Sequence, residues 1–162
     1  MEQKIITISY ESFSGIDMLS DVDRQLCLKA EEALNTSYAP YSHFRVGTAI
    51  QLKGDQIVLG SNQENVAYPS GLCAERVALF AIGAANPSAV IERMAITAKA
   101  DHFQVEQPVT SCGACLQVMA EFEKKQQQEI EVLFYCIGGE IMKVRGIRSL
   151  LPFVFVESRL EG

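Results

Sequence analysis

No run of about 18 apolar residues occurs in this sequence, so no membrane-spanning helix is expected. Residues 1–15 contain Glu2 and Glu11 and lack both an uninterrupted apolar stretch and a small-residue cleavage pattern, so they do not read as a signal peptide. A Lys/Arg-rich stripe is missing too, against a formal charge of −6 and a pI near 5.0. That balance repels a polyanion, which makes nucleic acid a poor partner and a small molecule the expected substrate. Pro/Gly/Ser-rich linkers, charge blocks and internal repeats are also absent. Residues 1–162 therefore read as one domain, with 1–19 as an N-terminal extension. At 162 residues and 48% hydrophobic, the chain is long enough to bury a substantial core. Its five cysteines are an odd number, ill suited to a fully paired disulfide framework, and a reduced cytoplasmic setting is the simplest expectation.

The periodicity of the remaining sequence changes several times. Ser20 opens a helix with Asp23 in an S-x-x-D capping pattern, and Leu26, Ala30, Ala33, Leu34 and Tyr38 recur at helical spacing up to Pro40. Alternation at Phe44, Val46, Thr48, Ile50 and Leu52, a Gly54-Asp55 turn and then Ile57-Val58-Leu59 predict a hairpin over 44–61. A second helix is expected from Ala74 to Ala85, with Val77, Phe80 and Ala81 on one face, stopped by Asn86-Pro87. Arg93 to Ala100 reads as a buried strand, and a third helix starts at Cys112, with Cys115, Val118, Met119 and Phe122 in register. Ile130 to Ile137, the Gly138-Gly139 turn and Glu140 to Val144 predict two closing strands. Helices interleaved with strands in this order imply a sheet covered on both faces.

Cysteines fall at the starts of two of these helices, as Cys73-Ala74-Glu75-Arg76 and Cys112-Gly113-Ala114-Cys115. A helix N-terminus favours thiolate, the form that binds metal. Cys73, Cys112 and Cys115 can therefore supply three corners of a zinc tetrahedron and leave a fourth open for chemistry. Glu75 is placed to move a proton at that position, and Arg76 to offset the thiolate charge. A redox dithiol or half of a structural zinc site would explain a lone C-x-x-C; the third cysteine beside a glutamate argues against both. Cys27 and Cys136 read as small core residues, and His43 and His102 remain candidate fourth ligands for a closed site.

The chain resembles the cytidine deaminase family, in the small form with three cysteine ligands, from about Ser20 to Phe155. Beside the two cysteine motifs, the resemblance rests on Tyr38-Ala39-Pro40-Tyr41-Ser42-His43-Phe44-Arg45-Val46-Gly47 and Asn62-Gln63-Glu64-Asn65-Val66-Ala67-Tyr68. It implies a three-layer α/β/α fold with a central mixed sheet of about five strands. It also implies one Zn²⁺ per chain on Cys73, Cys112 and Cys115, with Glu75 shuttling protons while water replaces the amino group at C4 of cytosine. Further roles implied are base packing for Phe44, sugar-hydroxyl binding for Asn62 and Glu64, and a base-edge contact for the Ala74 backbone. Val66, Tyr68 and Phe155 correspond to positions that reach a neighbouring subunit's site in a homotetramer. Two positions depart from the family pattern. Ser111 replaces a proline and is expected to cap the third helix, and Leu116 replaces an arginine that would assist Arg76. The implied activity is hydrolysis of cytidine and deoxycytidine. Deamination of another cytosine nucleoside such as blasticidin S, a non-catalytic zinc-stabilised assembly module and polynucleotide editing are the alternatives.

Overall fold

The computed structural model describes residues 1–160, so the last two residues of the expected domain lie outside it. Six strands form one mixed sheet: β1 (Glu11–Phe13), β2 (Phe44–Leu52), β3 (Ile57–Ser61), β4 (Ile91–Ala100), β5 (Glu131–Tyr135) and β6 (Ile141–Arg145), in the order β1-β6-β5-β4-β2-β3. Only β4 and β5 run parallel among the described strands, and helix α3 (Gly113–Gln126) makes the crossover between them. The expected hairpin is β2–β3, with Gly54 and Asp55 at φ of 92° and 66° in its turn.

Two apolar clusters occupy the two faces of the sheet. On one, Leu26, Cys27 and Ala30 of α1 (Asp21–Ala33) pack against Ala49, Ala95, Leu133 and Ile141. On the other, Ala78, Leu79 and Ile82 of α2 (Ala74–Ala85) and Cys115, Leu116 and Met119 of α3 cover Ile50, Met94, Ile96 and Phe134. The three-layer α/β/α expectation therefore holds. Each fully buried Leu, Ile or Met contributes about 1.5–3 kcal/mol, so these two clusters hold the helices to the sheet.

Several details differ from the sequence reading. The sheet has six strands where about five were expected, because β1 lies inside the N-terminal extension and adds to the β6 edge. Helix α1 ends at Ala33, a 3-10 turn follows over Leu34–Thr36, and Tyr38 is exposed. On α2 the buried residues are Ala74, Glu75, Ala78, Leu79 and Ile82, while Phe80 faces solvent. That helix is apolar nearly all round, so packing against β2 and β3 chose its inner face.

Ser20 caps α1 as expected, its Oγ accepting from the Asp23 amide at 3.2 Å. The Asp23 carboxylate, 6% exposed, is engaged elsewhere, with Arg93 at 3.1 Å and Lys143 at 3.0 Å, which ties α1 to β4 and β6. Removing the buried carboxylate takes this partner from Arg93 and leaves Lys143 with Glu131 at 3.3 Å. Asp23→Asn is therefore expected to lower unfolding free energy by roughly 2 kcal/mol, discounted for its partly exposed partners and read as a shifted urea midpoint with an unchanged slope.

Candidate active site

Helices α2 and α3 begin side by side on the same face of the sheet, each with a cysteine at its N-cap: Cys73 for α2 and Cys112 for α3. The expected Ser111 cap is not formed. Cys112 holds the capping position, and Ser111 Oγ is buried without a hydrogen-bond partner. Cys115, on the first turn of α3, is fully buried.

The Cys73, Cys112 and Cys115 sulfurs lie within 4.8 Å of one another, and among the described residues no histidine or carboxylate joins the group. Two separations are 4.0 Å for Cys73–Cys112 and 3.5 Å for Cys112–Cys115. A tetrahedral zinc with Zn–S bonds of about 2.3 Å requires sulfurs about 3.8 Å apart, so the donor set and its spacing fit that ion. His43 and His102, the other possible ligands, pack on each other with ring centroids 4.7 Å apart.

The electrostatics favour thiolate at Cys73. The Cys73 thiol is pulled down to about 5, mainly by a hydrogen bond from Cys115, with burial opposing and the Arg76 guanidinium assisting. Cys115 moves the opposite way, because it donates to Cys73, is desolvated and lies near the Glu75 charge. Arg76 sits with its terminal nitrogen 3.6 Å from Cys73 Sγ, and that contact raises its own pKa. Leu116 belongs to the hydrophobic core under α3, so the position offers hydrocarbon where the resemblance leads one to expect a second cation.

A cavity of ≈ 680 Å³ opens over the sulfurs, lined by Cys73, Cys112, Glu75 and Arg76 and by Phe44, Asn62, Glu64 and Tyr68. Glu75 is 4% exposed and placed by the first turn of α2. Phe44, at the start of β2, is half-buried in the cavity wall.

Asn62 and Glu64 follow β3, and each is already engaged. Asn62 Oδ1 accepts from the Val46 amide at 2.8 Å and from Ser37 Oγ at 2.5 Å, while its Nδ2 donates to the Phe44 carbonyl at 2.9 Å. One Nδ2 hydrogen is left over by this count. The Glu64 carboxylate accepts from the Ser42 hydroxyl and from the Tyr41 and Ser42 amides at 3.0 and 3.2 Å. The Ser42 hydroxyl is the chief reason its pKa lies below the usual carboxylate range. Both residues thus staple the 37–46 segment, and Ser37, Tyr41 and Ser42 are their partners. The sequence reading gave those three no such task; Tyr41 and Ser42 stood in a quoted motif, but nothing in their spacing pointed at Glu64.

Of the remaining candidates, Ala74 and Tyr68 lie at the site and Phe155 does not. Ala74 is fully buried at the first position of α2, where a backbone amide has no intrahelical acceptor. Tyr68 and Val66 are each 77% exposed, with the Tyr68 ring edge-on to Tyr41 at 6.3 Å. Phe155 is exposed and stands apart from the site, its backbone bonded to Gln117 at 3.0 and 3.1 Å. Cys27 and Cys136 are buried core thiols, as expected.

Residues 20–128 match the family model described as the cytidine and deoxycytidylate deaminase zinc-binding region. The chain belongs to that family. It is 37% identical over 135 residues to a cytidine deaminase of Halalkalibacterium halodurans, an alignment spanning 83% of this chain and 95% of the relative. It is 41% identical over 140 residues to a cytidine deaminase of Sporosarcina psychrophila, spanning 86% and 95%. Among solved structures, the cytidine deaminase of Burkholderia pseudomallei superposes with a TM-score of 0.71 at 30% identity, covering 85% of this chain and all of that one. The Mycobacterium tuberculosis enzyme superposes with a TM-score of 0.63 at 28% identity, covering 85% and 99%. Family membership makes the chain an enzyme of the C–N hydrolase type with a zinc-binding domain, and the three-sulfur cluster is where this deaminase family member can hold the ion.

Proposed function

We propose that this chain deaminates cytidine and deoxycytidine, consuming one water and releasing ammonia with uridine or deoxyuridine. The observation that carries the reading is a buried glutamate beside three convergent sulfurs on the floor of a cavity walled by an aromatic ring and an Asn/Glu pair. Cys73, Cys112 and Cys115 would hold the zinc, which when bound would supply Lewis acidity toward water near neutral pH. Glu75 takes a proton from the attacking water and delivers it to the departing amine, so the carboxylate returns to its starting state. Phe44 packs against the base, the Ala74 backbone meets its edge, and the free Asn62 hydrogen and the Glu64 oxygens receive the sugar hydroxyls. Arg76 offsets part of the thiolate charge through its contact with Cys73.

A homotetramer and a cytoplasmic location belong to the same proposal. The exposure of Val66, Tyr68 and Phe155 supports sites completed by neighbouring subunits, and five free cysteines support a reducing compartment.

The test is purification, determination of zinc per chain, and ultraviolet monitoring of cytidine, deoxycytidine and blasticidin S with and without a chelator. The expected outcome is about one zinc per chain, turnover of the first two nucleosides, and loss of at least about 100-fold in rate on chelation, restored by zinc. Zinc-loaded protein inactive on all three substrates would defeat the reading.

A further inference from the structure

Phe44 presents its ring to the site cavity, and the ring of Phe103 stacks against it with centroids 6.2 Å apart and planes inclined by 20°. That spacing lies in the range of favourable offset stacking. Phe103 is in the segment between β4 and α3 and belongs to the lining of the neighbouring cavity of ≈ 770 Å³. It therefore approaches Phe44 from outside the site.

Three contacts hold its segment against the start of β2. The Asp101 amide donates to the His43 carbonyl at 3.0 Å. Arg45 donates through Nε and a terminal nitrogen to the two Asp101 carboxylate oxygens at 3.2 and 3.4 Å. The His43 and His102 rings meet edge to face at 4.7 Å. One exposed ion pair alone contributes little, but here a forked pair and a backbone bond at Asp101 and a ring contact at His102 act on two consecutive residues next to Phe103.

An aromatic platform works best when its plane is set before the ligand arrives, because ordering a side chain on binding subtracts from affinity. We propose that Phe103 is a positioning residue: stacked on Phe44, and held in place by Asp101 and His102, it fixes the plane on which the cytosine ring rests. This deepens the functional reading above and depends on it.

Phe103→Ala is expected to raise KM for cytidine roughly threefold to tenfold, the range that one aromatic contact supports, with kcat changed less than about twofold. Phe103→Tyr, which keeps the ring, should stay near native. Because Phe103 is 61% exposed, its truncation spares the core, and an unchanged Tm checks this. In a double-mutant cycle, Phe44→Ala raises KM by itself and adding Phe103→Ala raises it little further. Calorimetric Kd values for cytidine on zinc-loaded Glu75→Gln protein should repeat the pattern without turnover. Native KM and Kd in Phe103→Ala, or an equal rise with and without Phe44, overturn the proposal for Phe103 alone. If Phe44→Ala changes neither constant, the platform reading of Phe44 falls and this proposal falls with it.

Discussion

Glu75→Gln is expected to lower kcat for cytidine by ~1,000-fold while zinc content and Tm stay at native values. Glutamine has the same shape and can still accept a hydrogen bond, but it can neither take a proton from water nor return one to the amine. The position is 4% exposed and lies on the first turn of α2, one residue from the buried Ala74, so an isosteric replacement disturbs no packing. Removing a buried negative charge near the sulfurs relieves repulsion, since the Glu75 charge is one of the causes that raise the Cys115 pKa. Zinc retention is therefore part of the expected result. Rates followed by ultraviolet loss, metal analysis and thermal unfolding on the same preparation separate the outcomes. Turnover within about tenfold of native removes Glu75 from proton transfer, and loss of zinc gives it a structural role.

Gly60→Ala is the second large effect. Helix α2 lies on β3 so closely that a Cβ at Gly60 would stand 2.5 Å from the Ala74 carbonyl oxygen, 2.8 Å from Ala78 Cβ and 2.9 Å from the Ala78 amide nitrogen. Two of these are backbone atoms of the turn that carries Cys73, Glu75 and Arg76, so no flexible side chain can absorb the clash. The helix must retreat from the sheet. Overpacking of this kind costs about 3 kcal/mol or more, and the retreat also draws Cys73 away from Cys112 and Cys115. The expected result is a urea midpoint lowered in proportion, together with weaker zinc retention under chelator competition. A variant with native stability and zinc affinity would mean that the contact of α2 with β3 is looser than its geometry indicates.

Both expected effects centre on the close packing of α2 against β3. The first turn of this helix carries the buried Glu75 carboxylate and follows the Cys73 cap, and the position of that turn is set by its close approach to Gly60 of β3. Arg76 leaves from the same turn to reach Cys73, while Leu116 on α3 contributes to the core beneath it. Of these two side chains, only Arg76 brings positive charge to the sulfurs.

Much of this was legible in the order of residues. Ser20, Gly54-Asp55 and Asn86-Pro87 mark element ends by local backbone chemistry, so α1, the β2–β3 hairpin and α2 fall where those signals place them. The cysteines are equally local: a residue at a helix N-cap meets the unpaired amides of its own first turn, whatever the rest of the chain does. The chemistry of the three-sulfur donor set follows from residue type and spacing. Apart from the Ser111 cap and the early end of α1, what failed lay beyond that range. Three residues of β1 carry too short a pattern to announce a strand and exist by pairing with β6. On α2 apolar residues surround the helix, and only contact with the sheet turned Leu79 inward and Phe80 outward.

By itself, then, the sequence determined which residues can ligate a metal, which carboxylate stands beside them and where most helices and strands lie, because those properties reside in side-chain chemistry and contacts a few residues apart. Tertiary structure alone decided that Asn62 and Glu64 hold the 37–46 segment, that Asp23 binds Arg93 and Lys143, and that Phe103 lies against Phe44. Those pairings join residues 16 to 120 positions apart, and their geometry is created only when the sheet brings its strands into register.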